Sequence, residues 1–189
     1  MPDTLELVMI SGSLRTGSYN TALLTNLPDL APAGLRFRRL DITPLPVYNG
    51  DLEVNGLPET VTLLQREIRA SDGLIIATPE YNHGVPGSLK NAIDWLSRGA
   101  PPHGLFGVPS AILGASDGMV GTARAQPHLR PTLATLNSPT MPFPQVLVSH
   151  AHRKIDADGR LTDEPTREFI RGWLVQVEIW MRRFPKSER

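Results

Sequence analysis

Apolar and polar positions alternate along the chain in two different periods. Short runs of apolar residues predict buried strands, and longer segments with apolar residues three and four positions apart predict amphipathic helices. This pattern predicts five strands, within residues 7–10, 35–42, 73–77, 110–113 and 146–148. It predicts helices at residues 19–27, 59–72, 86–98 and 120–136, and a last helix that begins near residue 162 or 163.

The order of these elements predicts the fold class. Strands that alternate with helices form a doubly wound parallel α/β sheet, because right-handed crossovers place helices on both faces. The second strand, in RFRRLDIT, is expected at an edge of the sheet, where its charged side chains reach solvent. No linker, repeat or low-complexity segment divides the chain, so we expect one domain over residues 1–189.

The last two helices carry more specific expectations. Pro127 and Pro131 are expected to interrupt the fourth helix, because proline lacks the N–H that a helix interior needs. The last helix is expected to bury one aromatic-rich stripe along its length. That stripe consists of Phe169, Trp173, Val177, Trp180 and Phe184.

Composition and charge exclude several functional classes. The 19 basic and 19 acidic side chains cancel, and no basic block suggests a nucleic-acid or membrane surface. No apolar run reaches the roughly 18 residues that suggest a membrane span. The chain has no cysteine, which excludes thiolate catalysis and disulfides, and we interpret His150 and His152 as surface residues rather than metal ligands. The amino terminus, MPDTLELVMI, has no secretory-leader pattern, so we expect a cytoplasmic protein.

Three polar, glycine-rich loops follow predicted strands. They cover residues 11–20, 79–87 and 115–121 and are called here the first, second and third loops. In a doubly wound sheet, ligands bind outside the carboxyl ends of the strands, where the strand order reverses. The three loops are therefore the places where a binding site is expected.

The first loop, SGSLRTGSYN, predicts a site for a phosphate monoester. Unpaired N–H groups at a helix start attract anions, and the loop adds hydroxyl, amide and guanidinium donors. The expected phosphate ligands are Ser13, Arg15, Ser18 and Asn20, with Thr21 close by. The loop lacks the glycine and lysine pattern of nucleotide triphosphatases and the G-x-G-x-x-G of dinucleotide sites. The same residues also suit an ordinary turn and helix cap.

The second loop, PEYNHGVPG, suits a flat heteroaromatic ligand. Its prolines stiffen both ends, and its glycines permit close approach to the backbone. The expected contacts are Pro79, Glu80, Tyr81, Asn82 and His83, joined by Ser116 from the third loop. Alternatively, Tyr81 packs against the protein and Glu80 caps a turn. Arg124 is open to two interpretations, a ligand contact or a solvated or inter-subunit salt bridge.

Two motifs together resemble the NAD(P)H-dependent FMN reductase family of flavodoxin-like proteins, which includes quinone, chromate and azo-dye reductases. They are GSLRTGSYN at residues 12–20 and PEYN at 79–82, the second followed by PGSLKNAIDW at 86–95. The resemblance implies a flavodoxin-like sheet of strand order 2-1-3-4-5. It also implies a non-covalently bound FMN, with its phosphate on the first loop and its ring along the second. Gly84 stands where relatives often carry serine.

The resemblance further implies an activity and an assembly. Hydride would pass from NADPH or NADH to flavin and then to a quinone, free flavin, azo compound or metal oxyanion. A single stacking cleft for both substrates predicts a ping-pong mechanism with no side-chain acid or base. Homodimers or homotetramers with FMN near the subunit boundary are expected, with Trp95 either at the interface or in the core. The alternatives are an FMN-binding electron carrier, a redox sensor and a phosphate-ester hydrolase.

Overall fold

A parallel sheet of five strands forms the centre of the computed structural model, which describes residues 4–188. The strands are β1 (Leu5–Ser11), β2 (Leu35–Leu40), β3 (Gly73–Ala77), β4 (Ser110–Ala115) and β5 (Val146–Val148). Their spatial order is β2-β1-β3-β4-β5, and every neighbouring pair is parallel. The predicted doubly wound sheet and its strand order are confirmed.

Five α-helices connect and cover the strands. They are α1 (Tyr19–Leu30), α2 (Glu59–Ala70), α3 (Gly87–Leu96), α4 (Ala125–Thr135) and α5 (Glu164–Met181). Short 3-10 turns lie at Gly50–Glu53, Ala151–Arg153 and Lys186–Glu188. Within residues 4–188, no helix is long and apolar enough to cross a lipid bilayer.

Alternate residues of β1 serve two separate hydrophobic cores. Leu7 and Met9 belong to the core that also contains residues of α1 and α5. Val8 and Ile10 belong to the core formed with residues of α2, α3 and α4. Because side chains alternate between the two faces of a strand, an apolar strand can bind helices on both sides.

The charged strand β2 lies at the edge of the sheet, as predicted. Leu35 and Leu40 are buried at its ends, while its arginines reach solvent. Arg36 pairs with Glu6 of β1 at 3.9 Å, and Arg38 pairs with Glu67 of α2. Charged side chains on an edge strand discourage pairing with a strand from another molecule.

The predicted interruption of the fourth helix is wrong. Helix α4 begins at Ala125, after a turn, and continues without a break to Thr135. Pro127 falls in its first turn, where a backbone N–H has no partner within the helix in any case. Pro131 lies inside the helix, although the prediction expected the helix to be interrupted at this residue.

The predicted buried stripe of the last helix is only partly right. Trp173 and Val177 are buried, but Phe169 is exposed and Trp180 is only partly buried. The residues that face the core are Ile170, Trp173, Leu174, Val177 and Met181. The prediction followed the aromatic residues, whereas the buried face combines only one of them, Trp173, with aliphatic residues and Met181. The rings of Trp180 and Phe184 instead contact each other, with centroids 5.1 Å apart.

The sheet centre leaves no room at Gly114, in contrast to the surface of α5. A Cβ added at Gly114 would lie 2.5 Å from the carbonyl oxygen of Thr78 and would also clash with Thr122, whereas one at Gly172 meets nothing within 4 Å. We expect Gly114→Ala to lower the free energy of unfolding by about 1–3 kcal/mol. The matched control Gly172→Ala should raise it by about 0.5–1 kcal/mol, because alanine is the better helix former. Urea denaturation measures both, and equal stability of the two variants would contradict this description of the core.

Candidate functional site

A cleft of about 190 Å³ lies where the three predicted loops meet at the carboxyl ends of β1, β3 and β4. It is lined by Ser13, Arg15, Ser18, Tyr19, Asn20, Pro79, Glu80, Tyr81, Ala115, Ser116 and Asp117. All but three of the predicted site residues are therefore brought together. Thr21, Asn82 and His83 do not line this cleft.

The start of α1 forms the first wall of the cleft. Ser18 is the N-cap, and its hydroxyl accepts a hydrogen bond from the Thr21 N–H at 3.2 Å. The next two N–H groups, of Tyr19 and Asn20, have no hydrogen-bond partner among residues 4–188. The exposed guanidinium of Arg15 lies 5.6 Å from the centre of the Tyr19 ring. Free N–H groups beside a guanidinium make this wall a candidate anion site.

Asn20 lines the cleft as predicted, but its side chain is bound by the backbone of the protein. Its side chain is buried and makes two hydrogen bonds with the backbone of Ala115. The amide donates to the Ala115 carbonyl at 2.9 Å, and the amide oxygen accepts the Ala115 N–H at 2.9 Å. The side chain of Asn20 therefore joins the start of α1 to the end of β4, while the residue also lines the cleft.

The remaining predicted ligand of the first loop points elsewhere. The hydroxyl of Thr21 lies 2.8 Å from the hydroxyl of Ser11, within the loop's own framework. Thr21 lines the clefts on the two outer sides of the loop. The side chain of Thr21 therefore does not contact the candidate anion site.

The second loop folds into a tight hairpin. Tyr81 and Gly84 exchange backbone hydrogen bonds at 3.3 and 3.0 Å. Asn82 and His83 form the turn between them, with φ angles of 49° and 63°. Two successive positive φ angles are typical of a two-residue hairpin turn, and asparagine tolerates them better than most residues. The turn places Asn82 and His83 at the tip, which explains why they do not line the cleft.

The first loop is hydrogen-bonded to the two elements that flank the second loop, β3 and α3. The N–H of Gly12 donates to the carbonyl of Ala77 at 2.8 Å, and the hydroxyl of Ser88 donates to the carbonyl of Gly12 at 2.7 Å. A Cβ at Gly12 would lie 3.1 Å from atoms of Leu89 and Pro79. Glycine at this position therefore permits the close approach that brings the two loops together.

Glu80 joins the second loop to α4. One carboxylate oxygen accepts the N–H groups of Arg124 and Ala125, at 2.8 and 3.0 Å, and the other lies 3.6 Å from the Arg124 guanidinium. Burial raises the pKa of Glu80, but these hydrogen bonds and the charge of Arg124 outweigh it and hold the pKa below its ordinary value. Arg124 therefore makes a salt bridge within the chain, and Glu80 caps a helix distant in sequence.

Three lining residues were absent from the predicted set. Tyr19 directly follows the N-cap of α1, and Ala115 is the last residue of β4, so their positions were a usable signal. Asp117 lies in the third loop, and its carboxylate is 3.1 Å from Nδ1 of His152. Trp95, for which both a core and an interface position were expected, is fully buried within the chain. Its Nε1 donates to the carbonyl of Pro46 at 2.8 Å.

Comparison with known proteins identifies the family. The family model described as NADPH-dependent FMN reductase matches residues 5–153. The chain belongs to the NADPH-dependent FMN reductase family. The predicted family is therefore confirmed, together with the oxidoreductase class and the pairing of FMN with NAD(P)H. We set aside the phosphate-ester hydrolase.

Several relatives of this reductase match it over nearly their whole length. An NAD(P)H-dependent FMN reductase from Pseudomonas aeruginosa is 48% identical over 184 residues, which cover 97% of this chain and 98% of that protein. A quinone reductase from Escherichia coli is 40% identical, with coverage of 97% and 98%. The solved structure of FerB, a flavoenzyme NAD(P)H:(acceptor) oxidoreductase from Paracoccus denitrificans, superposes with a TM-score of 0.88 at 36% identity, covering 96% of this chain and 100% of that one.

The buried carboxylate of Glu80 generates a pH-dependent prediction. Because its side chain is only 7% exposed and accepts two N–H groups, Glu80→Gln should lower the free energy of unfolding at pH 7 by about 1–2 kcal/mol. The folded-state pKa is lowered, so this contribution is complete above the unfolded-state pKa and is lost as the pH falls through the folded-state pKa.

Urea denaturation at a series of pH values measures this difference between wild type and variant. The exposed Glu59, in the first turn of α2, gives the control substitution Glu59→Gln, which should change stability by less than about 0.5 kcal/mol. A gap between wild type and Glu80→Gln that stays constant from neutral to strongly acidic pH would contradict the assignment.

Proposed function

We propose that this reductase binds FMN non-covalently in the cleft between the three loops and uses it to reduce small, flat acceptors such as quinones. The observation that carries the proposal is the shape of the cleft, which joins an anion site at the start of α1 to a rigid loop suited to a ring. The acceptor class is supported by relatives named quinone reductase and, in Burkholderia, 2-hydroxy-1,4-benzoquinone reductase.

The residues at the phosphate end fit a phosphate monoester. Ser13 and Ser18 supply hydroxyl groups, Arg15 a guanidinium, and Tyr19 and Asn20 free N–H groups. The carboxylate of Glu80 also lines the cleft, but its charge is bound by Arg124 and the start of α4. A dianionic group at the first loop therefore meets these donors, and the other lining carboxylate, that of Asp117, lies 3.1 Å from Nδ1 of His152.

The ring end is more open than the phosphate end. A cleft of about 190 Å³ is smaller than the roughly 300–1,000 Å³ of most small-molecule sites, so it would enclose only part of FMN. The rest would lie against Pro79 and Tyr81, with Ser116 on the opposite side. Tyr81 is 51% exposed and Met119 is 79% exposed, so this side of the site remains accessible.

The protein's own task in this proposal is to position two flat molecules. Bound flavin supplies the chemistry, since it accepts a hydride from the nicotinamide and passes two electrons to the acceptor. Tyr81 would limit the approach of both substrates to one exposed face. A single face used in turn by nicotinamide and acceptor supports the ping-pong order.

Assembly and location are also part of the proposal. A second copy of the chain would cover the exposed apolar side chains of Tyr81, Met119 and Val120 beside the ring end, giving a homodimer or a dimer of dimers. A cytoplasmic location and a single-domain chain stay predictions.

Steady-state kinetics test the reductase against an FMN-binding electron carrier or redox sensor. The FMN-loaded protein should oxidise NADPH or NADH with benzoquinone as acceptor. Double-reciprocal plots at several quinone concentrations should be parallel, as a ping-pong order requires. Absence of turnover with either nicotinamide would contradict the reductase and leave the carrier or sensor. Intersecting lines would contradict the single shared face.

The anion site generates a prediction that separates binding from folding. Ser18→Asp keeps a good N-cap for α1 but places a negative charge beside the phosphate. We expect FMN to bind at least about 100-fold more weakly, while Arg15→Ala, which removes a charge-assisted contact, weakens binding about 10- to 100-fold.

Quenching of FMN fluorescence measures these affinities, and circular dichroism checks the fold. Arg36→Ala is the matched control, because this exposed arginine of β2 pairs with Glu6 and does not line the cleft. Wild-type affinity of Ser18→Asp for FMN would contradict the phosphate assignment.

A further inference from the structure

A second cleft, of about 390 Å³, lies on the other side of the first loop. It is bounded by the first loop and by the carboxyl end of β2, and the residues relevant here are Leu14, Arg15, Arg39, Asp41 and Thr43. Ser13 and Arg15 line both this cleft and the cofactor cleft, so the two lie side by side with the first loop between them.

Arg39 is the cation of this second cleft that the fold leaves available. Arg36 and Arg38, on the same strand, pair with Glu6 and Glu67, but Arg39 makes no ion pair with any residue in the described range 4–188. Arg39 is also exposed. Hydrogen bonds from Thr43 and the charge of Arg39 lower the pKa of Asp41 in the same cleft, but no carboxylate of residues 4–188 lies within ion-pair distance of Arg39. Its guanidinium is therefore suited to bidentate contact with phosphate.

The other groups of the second cleft suit a nucleoside. One carboxylate oxygen of Asp41 accepts the Thr43 N–H at 2.9 Å, which holds the carboxylate at the wall of the cleft, where such a group suits the hydroxyl groups of a sugar. Leu14 is 53% exposed at the rim of the cleft and offers an apolar surface to a base. Groups suited to a phosphate, a sugar and a base therefore line one cleft.

We propose that the second cleft binds the adenosine 2′-phosphate end of NADPH, with Arg39 as the residue that contacts the 2′-phosphate. The inference rests on the proposed function, since it places the second half of the nicotinamide co-substrate. Arg15 is engaged by the cofactor phosphate on the opposite side of the loop, so Arg39 supplies the charge that distinguishes NADPH from NADH.

A third cleft, of about 520 Å³, is a poorer place for a phosphate. It lies between α1 and residues 152–159, and Asp156 and Asp158 are among its lining residues. Among its lining residues there is no arginine or lysine. A dianionic group there would meet carboxylates without a compensating cation, which disfavours binding.

Binding of fragments tests the site without relying on turnover. On the FMN-loaded protein, 2′,5′-ADP should bind at least about tenfold more tightly than 5′-AMP, since only the former carries the 2′-phosphate. Arg39→Ala should abolish this difference, Arg39→Lys should restore part of it, and Arg36→Ala should leave it as in the wild type. Isothermal titration calorimetry measures all four proteins.

Kinetics supply the second readout. The ratio of kcat/KM for NADPH to that for NADH should exceed one in the wild type and fall about 10- to 100-fold in Arg39→Ala, through a higher KM for NADPH. The same ratio should change less than about twofold in Arg36→Ala.

The outcomes distinguish the inference from the function on which it rests. An unchanged ratio in Arg39→Ala, with both nicotinamides still oxidised, overturns the inference and leaves the reductase in place. Turnover with neither nicotinamide overturns the reductase, and the 2′,5′-ADP titration then decides whether the cleft binds the nucleotide. Inorganic phosphate that displaces 2′,5′-ADP at equal concentration indicates a simple phosphate site and overturns the nucleotide assignment.

Discussion

The arrangement of the whole site depends on one buried side chain, that of Asn20. Its amide satisfies both the N–H and the carbonyl of Ala115, and all of these groups are buried. An unpaired buried polar group costs about 1–3 kcal/mol, so neither partner can leave the other without a penalty. This pair fixes the start of α1 against the end of β4, and the first and third loops therefore keep a constant separation.

A second link holds the remaining loop. Glu80 leaves β3 in the second loop and reaches the start of α4, where it satisfies two N–H groups that the helix cannot. The hydrogen bond from Gly12 to Ala77 joins the first loop to the end of β3. Together, these contacts hold the three loops in fixed positions relative to one another. Asn20 and Glu80, both residues of the family motifs, thus hold the loops together. The groups left for a ligand are the N–H groups at the start of α1, the guanidinium of Arg15 and the flat side of the second loop.

Periodicity was sufficient to predict the strands, their alternation with helices and the three loops that form the site. It could not predict the partners of Asn20 and Glu80, because those hydrogen bonds join residues 95 and 44 positions apart in the chain. The buried face of α5 was misjudged because Phe169 and Trp180 were preferred to their neighbours Ile170 and Met181. The tip positions of Asn82 and His83 depend on a hairpin turn whose positive φ angles were not anticipated.

Because the loop side chains described above bind and position groups, the protein's role is to hold and orient FMN, and the cofactor carries the redox chemistry. No group of three or more histidine, aspartate or glutamate side chains within residues 4–188 is arranged to hold a metal ion.

A crystal structure of the protein with FMN tests the proposed binding site most directly. We expect the phosphate within hydrogen-bond distance of the Tyr19 and Asn20 N–H groups and the ring against Pro79 and Tyr81. A flavin phosphate bound instead between α1 and residues 152–159, away from Ser13 and Arg15, would contradict it.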